Sequence, residues 1–248
     1  MENKQIDSLP TGGGGVGRGG EKLAFTLAEI LITLGIIGIV AALTIPGLIT
    51  AHRKKVIETR LAKFYSTMNQ AIKLAEYDYD DRTGWDELGK GFIQDEDGND
   101  TKETVAISWV QKYLLPYIKS DVKATDKYGK VQLHFQDGSM VTLSSSSWIF
   151  YPDATKYHET EDKGFNQQEA TGKYAFTFLY APTCTNKEKC KYVGDGVEPY
   201  KYGWDGTKER LLYDEHFGCA KENVIRAYCT ELIKQNGWKI PSNYPIKL

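Results

Sequence analysis

Apolar positions recur on three different periods along this chain. Residues 25–50, FTLAEILITLGIIGIVAALTIPGLIT, form an apolar run whose one charged residue is Glu29. A helix needs about 20 such residues to cross a bilayer, so length and composition separate this run from a buried core helix. Gly35 and Gly38 within it suit close approach of neighbouring helix backbones. Beyond it, Ile57, Leu61, Phe64, Met68, Ile72 and Ala75 recur at spacings of three and four. That is one face of an amphipathic helix, and with the apolar run it predicts a nearly continuous helix to about Tyr77, bent at Pro46.

The period then changes. DYDDRTGWDELGKGFIQDEDGND reads as loop, and a short helix is predicted from Glu103 to Tyr113, stopping near Pro116. Val131, Leu133 and Phe135 alternate, a turn falls at Asp137-Gly138, and Val141 and Leu143 resume the alternation, which is a hairpin pattern. GKYAFTFLY is a further strand, with turns at Asp195-Gly196 and Asp205-Gly206. A last helix is predicted over Arg226–Gln235 with Asn236-Gly237 as its C-terminal cap. A long helix followed by antiparallel strands is an α+β fold. The expected organisation is a leader, 1–24, a long helix, 25–77, with its transmembrane part over 25–50, and a globular domain, 78–248.

Composition agrees with an ordered domain. Of 248 residues, 16 are Tyr and 5 Trp, more large aromatics than a disordered chain carries. The net charge of −2 gives no sign of a nucleic-acid partner, which would need a local basic patch. The Gly-rich TGGGGVGRGG is not a phosphate loop. It lacks a G-K-[ST] and a preceding strand, and reads as flexible leader.

A cleaved secretory signal has a shorter apolar core followed by its cleavage site. Here the small residue, Ala24, comes before the run. The segment AFTLAEILITLGIIGIVAALTIPGLI resembles the prepilin cleavage and methylation motif of type IV pilins and type II secretion pseudopilins. Phe25, Thr26, Leu27 and Glu29 match it in order and spacing, and Pro46 falls where many pilins carry a helix-kinking proline. Ala24 stands where the family usually has Gly, and the leader is only weakly basic. The resemblance implies cleavage between Ala24 and Phe25 by a prepilin peptidase and methylation of the new Phe25 amine. It also implies a long helix packed on an antiparallel sheet, an inner-membrane assembly platform, and a filament of homologous subunits built through Phe25, Thr26, Leu27, Glu29, Pro46 and the apolar helix. A carboxylate inside a membrane helix is costly and calls for a partner. Glu29 would meet the Phe25 ammonium, its own or a neighbouring subunit's.

The family places the leader in the cytoplasm and the rest outside. His52, Arg53, Lys54, Lys55, Arg60 and Lys63 follow the run, so by charge count alone the orientation would be reversed. The cysteines side with the motif. Cys184, Cys190, Cys219 and Cys229 lie in the last third with no C-x-x-C pair, which suits disulfides of an exported domain. Three pairings are formally open. Local closure, Cys184 with Cys190 and Cys219 with Cys229, is expected. His216 before Cys219 keeps a Cys/His metal site as an alternative.

No cofactor is expected. The acidic stretches Asp78–Asp81 and Asp95–Asp100 suit calcium by composition, but an EF-hand register around Gly98 would start at Ile93 and end at Thr104, which are wrong ligands. Solvated turns are the plainer reading. No G-x-S-x-G or H-E-x-x-H occurs, so an enzyme is not expected. The rivals to a filament subunit are an anchored extracellular binding or adhesion domain that never polymerises, and a tethered enzyme whose site is dispersed in sequence.

Overall fold

The computed structural model describes residues 26–89, 92–125, 130–157 and 170–248. Ala24, Phe25 and the leader lie outside the described residues. The chain divides into two compact units, Met1–Gly47 and Leu48–Leu248.

Helix α1 runs from Leu27 to Tyr79 and passes through Pro46. Up to Ile49 its large apolar side chains are exposed all round, Leu31, Ile32, Ile37 and Leu43 among them. Among the described residues it is the one helix long and apolar enough to cross a membrane. The hydroxyls of Thr33 and Thr44 donate back to the carbonyls of Ile30 and Val40 at 3.0 and 2.9 Å, so the polar atoms of these side chains are satisfied within the helix.

In the second unit the same helix becomes one-sided. Ile57, Leu61, Phe64, Met68, Ala71, Ile72 and Ala75 are buried. The amphipathic half of the helix therefore belongs to the compact domain, which opens at Leu48 rather than after Tyr77. Asp80, at φ 59, ends the helix in the left-handed region.

The stretch expected as loop holds structure. After a 3-10 turn at Arg82–Gly84, β1 (Phe92–Gln94) pairs antiparallel with β2 (Asp100–Thr104) around Gly98. It was hidden because Asp, Gly and Asn outnumber apolar residues there. Helix α2 (Val105–Tyr113) follows, with Thr104 as its N-cap accepting from the Ile107 N–H.

Six strands then form one antiparallel meander in chain order: β3 (Ser120–Thr125), β4 (Val131–Phe135), β5 (Met140–Ser144), β6 (Ser147–Tyr151), β7 (Phe176–Tyr180) and β8 (Val197–Pro199). The fold is α+β, a long N-terminal helix packed with an antiparallel sheet. Register sets the core. Leu133 faces Val141, Val141 faces Phe150, and Phe150 faces Phe176, which lines one sheet face with apolar side chains. Phe64 of α1 enters this face, stacked on Phe150 at 4.3 Å and edge-on to Phe178 at 4.8 Å. The opposite face carries a smaller cluster of Met140, Tyr151, Ala170 and Ala175.

The C-terminal segment adds α3 (Lys208–Tyr213) and α4 (Cys229–Gln235). Helix α4 starts three residues later than the pattern predicts, because Ala227 and Tyr228 sit in a turn. The expected cap holds: Gly237 adopts φ 66 and donates to the Lys234 carbonyl at 2.9 Å. Ile233 faces the main core, whereas Cys229 and Leu232 join a separate cluster with Trp204, Leu211 and Tyr228.

Candidate functional site

Glu29 is not a bare charge at the head of an apolar helix. Its Oε2 accepts from the Thr26 N–H at 2.8 Å and the Thr26 hydroxyl at 2.9 Å, while Thr26 Oγ1 accepts from the Glu29 N–H at 3.2 Å. This reciprocal pair is a capping box, which satisfies backbone donors that the first helical turn leaves without a partner. The sequence signal for it was there, Thr-x-x-Glu ahead of an apolar run, and the reading of Glu29 by charge alone passed over it. A carboxylate in the first turn also suits the helix dipole. Leu27, the next motif residue, is exposed.

The seam between α1 and the rest of the domain carries a polar cluster at β8. The Asn69 side chain donates to the Val197 carbonyl at 2.8 Å and accepts from the Val197 N–H at 3.1 Å. It thereby satisfies both backbone groups of Val197 in the edge strand β8, which would otherwise invite another strand. The approach is so close that a Cβ on Gly196 would lie 2.0 Å from Asn69 Oδ1. Beside it, Glu198 accepts from Tyr65 Oη at 2.9 Å, from Lys234 Nζ at 2.5 Å and from Lys201 Nζ at 3.0 Å. Burial pushes the Glu198 carboxyl up, but the hydrogen bond from Lys234 and the charge of Lys201 outweigh it and hold it below its ordinary value. Glu231, 3.8 Å from Lys201, is pushed up by its own burial. The network joins α1, β8 and α4, three elements far apart in sequence. Nothing in residue spacing could announce it.

Three of the basic residues after the apolar run engage the folded domain. Arg60 donates to the backbone carbonyls of Pro152 and Asp137. Lys63 pairs with Asp137 at 2.8 Å, and Arg53 lies over the Tyr174 ring at 5.1 Å. Asp137 also accepts from the Ser139 N–H and hydroxyl at 3.0 and 2.6 Å. Burial pushes its carboxyl up, yet these bonds and Lys63 hold it down at about 2.

The disulfides are Cys184–Cys190 and Cys219–Cys229, the local pairing. With its sulfur bonded to Cys229, Cys219 offers no thiolate to a metal beside His216. The acidic stretches serve as turns. Asp95 accepts from the N–H groups of Asp97 and Asn99 at 3.0 and 2.8 Å, closing the β1–β2 hairpin. Asp81 caps the following 3-10 turn through the Thr83 N–H, and Asp78 accepts from Tyr117.

A protein-family model described as a family of unknown function (DUF6613) matches residues 47–248. The chain belongs to that family. The match takes in the whole second unit and leaves out nearly all of the apolar run. No curated protein and no solved structure matches the chain.

Proposed function

We propose that this chain is a prepilin-like subunit, processed between Ala24 and Phe25 and assembled through its apolar helix into a type IV pilus or type II secretion pseudopilus. The observation that carries the reading is the form of α1. One helix presents an all-round apolar segment with Thr26, Leu27 and Glu29 at its start, and continues as the spine of a disulfide-stapled domain. An apolar surface of that extent needs a lipid or a bundle of like helices around it. A subunit that moves from membrane to filament meets both in turn.

In this reading the segment is a single-pass inner-membrane anchor and the domain is extracytoplasmic, where disulfides persist. The prepilin peptidase, the assembly platform and sister subunits are the partners. The chain acts as a structural subunit, not an enzyme. The capping box satisfies two first-turn donors, the N–H groups of Thr26 and Glu29, and engages one carboxylate oxygen. The second carboxylate oxygen of Glu29 then remains to meet a Phe25 ammonium from a neighbouring subunit.

Intact-mass analysis of protein from native membranes tests the proposal. A mature chain beginning at a methylated Phe25 is expected. A chain from native membranes that keeps residues 1–24 overturns it and leaves the anchored adhesion domain as the better reading.

A further inference from the structure

Two adjoining concavities lie on the second unit where α1 leaves the apolar run. The first, about 450 Å³, is lined by Arg53, Arg60, Lys156 and Lys173 with Ile49 and Val56 as apolar floor. The second, about 600 Å³, is lined by Lys173, Lys221, Arg226 and Lys247 beside Pro245 and Ile246. They share Lys173 and Tyr174. The one carboxylate among their lining residues is Asp153, whose Oδ1 is committed to the N–H and hydroxyl of Thr155 at 3.0 and 2.7 Å. Among the described residues, none of these cations is ion-paired.

Arg226 marks the strip as built. It is buried, 6% exposed, and its guanidinium donates to the carbonyls of Asn223, Thr171 and Lys221 at 3.0, 3.4 and 3.1 Å. Burial draws the Arg226 guanidinium below its ordinary value, against the charge of nearby Glu222, and the three carbonyls fix its position. The chain as a whole carries −2, so this concentration of positive charge is local.

We infer that the strip is a binding site for anionic phospholipid headgroups, taken from the leaflet that the apolar helix enters. Arg53 follows Thr50, the last residue of the apolar run, by less than one helical turn, so a run that spans the bilayer leaves Arg53 at headgroup depth. The cavities have the size of single headgroups, with cations for the phosphate and an apolar floor for the glycerol end. A duplex nucleic acid would demand a longer track of phosphate contacts with no apolar floor. The inference rests on the membrane reading above. It also explains why basic residues follow the span on the exported side: they serve the folded surface and not the topology.

The test uses the full chain in neutral detergent with equimolar phosphatidylglycerol and phosphatidylcholine, and counts retained lipids by native mass spectrometry. Each surface lysine favours an anionic lipid roughly fivefold at low salt. The expected result is strong retention of phosphatidylglycerol by the wild type. The variant carrying Lys156→Gln, Lys173→Gln, Lys221→Gln and Lys247→Gln should fall to near parity, and the four Lys→Arg replacements should keep the preference. All four sites are at least part-exposed, and unchanged tryptophan fluorescence confirms folding. Parity in the wild type overturns this inference and leaves the membrane reading standing. Extraction of the chain from native membranes by alkaline carbonate overturns both. Displacement of the lipid by millimolar inorganic phosphate would assign the site to soluble phosphates, and lysine-dependent capture of a short DNA duplex in preference to lipid would assign it to DNA. Either result overturns the lipid assignment.

Discussion

Replacing Lys234 by Met should loosen α1 from the domain it supports. Lys234 holds Glu198 at 2.5 Å and Tyr65 at 3.2 Å, so it bridges α4, β8 and the long helix. Removing one member of a buried ion pair costs about 3–5 kcal/mol, because the other charge stays desolvated. Two features lower that figure here. The Lys234 side chain retains 25% exposure, and Lys201 remains 3.0 Å from the same carboxylate. A loss of about 2 kcal/mol is expected, roughly a 30-fold fall in the folding equilibrium. Urea unfolding of the full chain in detergent measures it through tryptophan fluorescence, with Trp238 packed on Tyr65 at 5.2 Å as the nearest reporter. Glu198→Gln with Lys234→Met completes a double-mutant cycle and should show coupling of at least about 1 kcal/mol. Additive singles, or a Lys234→Met loss under about 0.5 kcal/mol, would mean that the network contributes geometry without energy.

Three further outcomes follow from the same structure. Glu29→Gln keeps the capping box, since Gln serves at that position, so filaments lost in Glu29→Gln with normal membrane levels would assign assembly to the charge; filaments kept in Glu29→Gln but lost in Thr26→Ala, which removes a cap worth about 1 kcal/mol, would assign it to the helix start. Asp137 is held at about 2 in the fold against 3.8 for the free side chain, so its contribution is present above pH 4 and lost as pH falls from about 4 to 2. After discounting for its partial exposure this is about 1 kcal/mol, and the acid limb of the stability curve should flatten in Asp137→Asn. Graded reduction should open Cys184–Cys190, part-exposed, before Cys219–Cys229, whose cysteines are both 0% exposed; differential alkylation and peptide mapping decide the order, and simultaneous opening would count against burial as the controlling factor.

Periodicity alone determined a good deal of this protein. Ile57, Leu61, Phe64, Met68, Ile72 and Ala75 were legible as one buried helix face because helix geometry fixes which positions share a side. The Val131–Leu143 hairpin was legible because its turn chemistry and alternation agree. The local disulfides were expected from four cysteines at short spacing in a domain read as exported. The limits were physical too. The β1–β2 hairpin has too few apolar residues to leave a period, and its Asp95 turn looks like solvated loop until its N–H partners are seen. The order β3 to β8 rests on strand register, which no single strand encodes. Glu198, Lys201, Glu231, Lys234, Tyr65 and Asn69 look in sequence like ordinary surface polar residues. Only packing brings them together, because the pairs that tie Tyr65 and Asn69 to this cluster are 128 to 169 positions apart in sequence. The basic strip is of the same kind: Arg53, Lys173, Arg226 and Lys247 are scattered along the chain, and tertiary structure alone gathers their charge on one surface.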